Sequence, residues 1–381
     1  MGVREKKVEL FELFYDLVFV YAISRVTLIL EEPVGGTFTL SQMAIYIIST
    51  LTVFQAWVFM TNYINRYGQW RWHEYLLLSI NMFAAIYLSQ SIRPDWGIAN
   101  QRVFIASMMV LVVTVQTIYA IQMYSKVQDR GAAKQGFVCP GIILCLFLIS
   151  LLASYTNLNT SAFYFLIAAI VMGIVLPLLE PELYDSKLVC FPHLAERFEL
   201  LTIITFGEGI VGMTRFFDIH EFSAIPWTVF ITFFMMFGCY VLQIHNLCDH
   251  HRTETGKRLM FTHYFNILSV NLVTVSYLLI SSGECDHSFT ASLMSTSLFM
   301  FFTGILLDSP YYHKEYSYSI KDYLVSLAIV AVGVCVMFAF PENDFSILYG
   351  AFIAVFGNLL LLSFKFNKHR PRKSVETVQE E

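Results

Sequence analysis

The residues in this sequence whose types and spacing could do chemistry are charges and amides set inside apolar runs. Glu12 and Asp16 stand four residues apart in the run 9–30, so they share one helical face and form an acidic stripe with Glu9 at its entrance. In the run 194–216, Glu208 comes about fourteen residues in, near mid-bilayer at about 1.5 Å per residue. Gly207 and Gly209 flank it, Gly212 lies a turn further on, and Glu196 and Arg197 open the same run. An ionised side chain at the centre of a membrane helix costs about 2.5 to 3.5 kcal/mol on insertion scales, so each needs a partner, water or a task.

Two kinds of role fit these groups. Glycines around a buried carboxylate let a helix open or a neighbour approach, as in carriers whose interrupted helices bind ions or substrate at the midplane. Small residues are equally the contact surface between membrane helices, and Glu208 would then pair with Arg197, Arg215 or Arg25. For Glu12 and Asp16 the alternatives are a charge cluster closed by Arg197 or a pathway for a proton or cation. His245, Cys248, His250 and His251 in HNLCDHHRTE superficially resemble a metal cluster, but their spacing fits no zinc pattern and no metal is expected. The chain carries no phosphate-binding glycine loop, nucleophile elbow or HExxH helix. Its loops leave no room for a globular catalytic domain, so no cofactor is expected and an enzyme is the less favoured class.

The elements that must position these groups are dictated by composition. Hydrophobic residues make up 56% of the 381 and charged residues 14%, far too apolar for a water-soluble core of this size. Mean hydropathy is +0.60, and the solvent for most of the chain is lipid. The net charge of −5 gives no reason to expect nucleic acid as a partner. Seven cysteines without a CxxC pair read as free membrane thiols. The first apolar run holds Glu12 and Asp16 and has no small-residue cleavage site, so it reads as a span rather than a signal peptide.

Runs of about 20 apolar residues predict twelve spans, at 9–30, 40–63, 74–92, 100–124, 135–154, 161–180, 194–216, 223–247, 259–282, 288–307, 320–340 and 345–366. The loops on the side of the N-terminus hold nineteen Lys and Arg, those on the opposite side only Arg93, Arg102 and Arg215. Basic residues stay on the cytoplasmic side, which predicts a multi-pass protein of the bacterial plasma membrane with both termini in the cytoplasm. The segment 181–192 reads as a cytoplasmic linker and 367–381 as a disordered tail that touches anionic headgroups.

The third and ninth spans repeat one another. HEYLLLSINMFAAIYL from His73 aligns without gaps on HYFNILSVNLVTVSYL from His263, pairing His73 with His263, Ser79 with Ser269, Asn81 with Asn271 and Tyr87 with Tyr277. The offset of 190 residues is half the chain, which predicts an all-α fold of two parallel six-helix repeats, 1–180 and 193–366. The paired histidines would cap or bond a neighbouring helix at the interface, and the paired asparagines would bond between helices or line a shared polar centre.

Two strings carry a resemblance. VELFELFYDLVFVYAISRV in the first span, with Glu12, Leu13, Phe14, Asp16, Leu17, Phe19 and Val20, resembles the opening signature of the bacterial low temperature requirement A family. HLAERFELLTIITFGEGIVG resembles its mid-chain signature through His193, Glu196, Arg197, Phe198, Gly207 and Glu208. Phe206 departs from it, standing where an aliphatic residue is expected. The resemblance covers about residues 8 to 366 and implies an integral membrane protein associated with growth in the cold, without a substrate or reaction. The expectation is a permease-like protein with a polar site of Glu12, Asp16, Glu208, Arg197, Glu196, Asn81 and Asn271 between its halves, moving a small solute, proton or cation. The alternative is a non-transporting scaffold, or an intramembrane enzyme acting on lipid or isoprenoid carriers. Oligomeric state is not readable from the sequence.

Overall fold

The computed structural model describes residues 6–94, 96–125, 130–156, 158–179, 187–217, 224–341, 343 and 345–369. The first part of the expected linker and the tail beyond 369 lie outside the described residues. Twelve α-helices follow one another: α1 Leu10–Thr27, α2 Leu40–Tyr67, α3 Trp72–Ser91, α4 Ile98–Tyr124, α5 Arg130–Ser154, α6 Asn159–Leu179, α7 Phe191–Met213, α8 Ala224–Val241, α9 Lys257–Ser282, α10 His287–Leu307, α11 Ile320–Ala339 and α12 Phe345–His369. α8 runs on through a π-helical turn, Leu242–Leu247. No strand occurs among the described residues.

Helix ends are set by local chemistry. The Glu12 carboxylate accepts from the backbone N–H of Glu9 at 3.3 Å, closing the first turn of α1. Thr39 and Gln42 cap α2 reciprocally. At the other end of α2 the Lys6 ammonium donates to the carbonyls of Ile64 and Gly68, groups that have no helical N–H to bond. α9 stops at Gly283, whose φ of +65° is the left-handed conformation glycine adopts without penalty.

Ten of the twelve helices are long and apolar enough to cross a membrane, as expected of a polytopic membrane protein. The two that fall short are α3, which holds His73, Glu74, Asn81 and Gln90, and α7, which holds Glu196, Arg197, Glu199 and Glu208. The helices richest in polar groups are thus the ones packed against α1. α1 lies on α2 and α3, α3 on α4, α4 on α5, α5 on α6, and α6 returns to α2. α7 lies on α8 and α9, α9 on α10, α10 on α11, α11 on α12, and α12 returns to α8. The two groups meet where α1 and α2 touch α7 and α9. In α9, 72% of the apolar stretch is buried, against 22% in α11, so α9 is central and α11 peripheral.

Candidate functional site

The contact of α1 and α2 with α7 is built around Arg197, which is fully buried. Its guanidinium donates to the Glu12 carboxylate and, through Nε at 3.0 Å and Nη2 at 2.6 Å, to both oxygens of Asp16. Glu12 and Asp16 are themselves 0% exposed. Their four-residue spacing on α1 brings both carboxylates to the same guanidinium, whose flat fork can serve two acceptors at once. α2 completes the enclosure: Trp57 Nε1 donates to Asp16 Oδ1 at 2.6 Å, the indole lies 5.6 Å from the Arg197 guanidinium, and Thr61 Oγ1 accepts from Arg197 at 3.5 Å.

His193, one turn before Arg197, extends the cluster. Its Nε2 lies 3.1 Å from Glu12 Oε2, and its Nδ1 lies 3.0 Å from Asn65 Nδ2. Asn65 is oriented by the backbone of Cys190: its amide nitrogen donates to the Cys190 carbonyl at 2.8 Å and its oxygen accepts the Cys190 N–H at 3.0 Å. With the amide so fixed, Asn65 donates to His193 Nδ1. That leaves His193 neutral, with its proton on Nε2 facing Glu12.

Charge counting then gives the cluster its chemistry. Two buried carboxylates face one guanidinium, so neutrality requires one more proton or cation. Lys6 is close enough to act on Glu12 and His193, but its ammonium is bonded to the carbonyls at the end of α2. The arrangement can bind and release a proton without exposing any of its members.

The remaining sequence candidates fall elsewhere. Asn81 is buried one contact away: Tyr15, next to Asp16, donates to its Oδ1 at 2.9 Å, while its Nδ2 reaches Thr114 Oγ1 at 2.7 Å and Leu111 O at 3.2 Å. Asn271, its repeat partner, keeps a buried Nδ2 without a hydrogen-bond partner. Glu196 and Glu208 are exposed on α7 and do not join the cluster. α7 is unbroken through the Gly-Glu-Gly segment. Gly209 and Gly212 are sites of close approach, where a Cβ would press on Phe233 and on Thr274, whereas Gly207 faces open space. Arg215 pairs with Glu31 at 3.5 Å rather than with Glu208. His73 is half-buried beside Trp72. His263 is fully buried between Tyr240 Oη at 3.0 Å and Leu259 O at 2.9 Å, so the paired histidines occupy different environments. Among the described residues no three His, Cys, Asp or Glu are grouped to hold a metal. The seven cysteines are free.

Sequence reasoning did not single out Trp57, Thr61 and Asn65, and it used His193 only as a signature residue. The signal was available in the four-residue spacing of 57, 61 and 65, which puts an indole, a hydroxyl and an amide on one face of α2. No curated protein matches this chain. A family model described as bacterial low temperature requirement A protein (LtrA) matches residues 7–360, a span that contains every member of the Arg197 cluster. The chain belongs to the bacterial low temperature requirement A family.

Proposed function

We propose that the protein is a carrier of the bacterial plasma membrane, built of two parallel six-helix repeats with both termini in the cytoplasm, and that the Arg197 cluster is its proton-responsive gate. The repeat is supported by the order of helix neighbours, which is nearly the same from α1 to α6 as from α7 to α12. The orientation is supported by the nineteen-to-three distribution of basic residues.

The observation that carries the gate is the burial of two carboxylates against one guanidinium beside a neutral histidine. Protonating His193 brings the charge to zero, yet it turns Nδ1 from acceptor into donor. Nδ1 then faces the Asn65 amide nitrogen, donor against donor, and α2 loses a bond to α7 at the position where α7 is joined to α1. Proton uptake therefore stabilises the charges and loosens the packing in one event, as a proton-coupled gate requires.

Proteoliposomes loaded with a pH-sensitive dye test this. A solute that is carried should change the internal pH as it enters, and His193→Gln should uncouple the two. No proton movement with any solute class, together with unaltered growth in the cold of cells carrying His193→Gln, sinks the reading. A static scaffold is the second reading, favoured by the complete pairing of Glu12 and Asp16 around Arg197. A disulfide cross-link between α1 and α7 separates the two, because it stops a carrier and leaves a scaffold working.

A further inference from the structure

A cleft of about 570 Å³ opens on the flank of the bundle between α2, α6 and α9, away from the charge cluster. Its walls are apolar, from Phe59 on α2, Ile174 and Leu178 on α6, and Met260 and Phe261 on α9, and Lys257 closes the end where α9 begins. Two polar side chains line it, Gln55 and Tyr264, with only 6% and 8% of their surfaces exposed. Each keeps one polar atom without a hydrogen-bond partner, the Gln55 Oε1 and the Tyr264 hydroxyl.

The orientation of Gln55 is fixed by its other amide atom, which donates to Ile170 O at 3.1 Å. Gly173 makes room for this, since a Cβ there would overlap the Gln55 amide. The Tyr264 ring stands 5.4 Å from that of Phe54, the residue before Gln55. An acceptor and a donor are therefore held bare in an apolar cleft whose mouth faces lipid. One group satisfies both, a hydroxyl, which accepts from one partner and donates to the other. An apolar recess with a few convergent polar groups is the usual form of a small-molecule site.

We propose that this cleft is a lateral binding site for a long-chain alcohol drawn from the membrane, its hydroxyl accepting from Tyr264 and donating to Gln55 Oε1 while its chain lies along Ile174 and Phe261. The site does not depend on the proton gate, and either can fail alone.

A photoreactive fatty alcohol carrying a diazirine, added to the full-length protein in lipid nanodiscs, tests it by peptide mapping of the adducts. Adducts are expected on 51–59, 173–178 and 257–264. They should be competed by an unlabelled fatty alcohol and not by the alkane of the same chain length. Tyr264→Phe, which keeps the ring and removes the hydroxyl, should lower labelling by roughly fivefold, the worth of one hydrogen bond. Ile174→Trp should fill the cleft and abolish labelling while the thermal melt shows the fold intact. Adducts spread evenly over peripheral α11, equal competition by the alkane, or stronger competition by the matching fatty acid through Lys257 would each overturn the assignment.

Discussion

Replacing Arg197 by methionine keeps much of the side chain's bulk and removes the only cation hydrogen-bonded to the Glu12 and Asp16 carboxylates. Lost with it are the bond to Glu12, the two bonds to Asp16 at 3.0 and 2.6 Å, and the longer contact with Thr61. Two like charges then share a site that water does not reach. Removing one partner of a buried ion pair costs about 3 to 5 kcal/mol, most of it from the charge left behind rather than from the bonds lost. That corresponds to roughly two to three and a half orders of magnitude in the folding equilibrium. The assay is denaturation by sodium dodecyl sulfate in mixed micelles, followed by circular dichroism, for wild type, Arg197→Met and the triple variant Glu12→Gln, Asp16→Asn, Arg197→Met. The triple variant has lost more native groups, yet it should recover at least half the deficit, because it leaves no buried charge unpaired. Lowering the pH should narrow the gap between wild type and Arg197→Met, since a protonated carboxyl needs no cation. If the triple variant is no more stable than the single one, the orphaned-charge account of this cluster is wrong.

Other perturbations have directions of their own. Trp57→Phe deletes the N–H that bonds Asp16 Oδ1 and should cost about 1.5 to 3 kcal/mol in the same assay, a loss absent when Asp16 is already Asn. Gly209→Val forces a side chain against Phe233 and Thr274 and should cost about 1 to 3 kcal/mol, whereas Gly207→Ala, with nothing within 4 Å of the new methyl, should leave the melt unchanged. Burial, with Asp286 and Glu284 alongside, pushes the Cys285 thiol in the α9–α10 connection up to about 11. Its alkylation, read by peptide mapping, should therefore be slow at neutral pH and rise about tenfold per unit up to that value; prompt modification at neutral pH contradicts this. A membrane-impermeant maleimide applied to whole cells at alkaline pH should reach Cys285 from outside if the termini are cytoplasmic.

The spans were legible because lipid imposes one rule on every helix, about twenty apolar residues between polar connections. The expected boundaries and the observed helix ends differ by only a few residues, as at α2, which starts at Leu40 in both. The cost of intramembrane charge made Glu12, Asp16 and Arg197 visible, and their shared depth made them natural partners. Glu208 shows where such reasoning stops. Its depth follows from residue counting, but which face of α7 looks outward is decided by the packing of α8 and α9 on Gly209 and Gly212. The roles of Trp57 and Asn65 depend on α2 lying against both α1 and α7, a tertiary fact that no local pattern encodes.

α1 and α7 are joined near both ends, and the two joints differ in kind. Near the starts of the helices the bonds among Arg197, Glu12 and Asp16 are dry and beyond the reach of salt; near their far ends Arg215 and Glu31 meet at 3.5 Å with side chains 55% and 28% exposed, where ions screen them. Mechanically the seam is a lever with a stiff root and a loose tip. Thermal motion and ionic strength will part it first at the Arg215 end, and any signal that frees the root must arrive as a proton rather than as a change in salt.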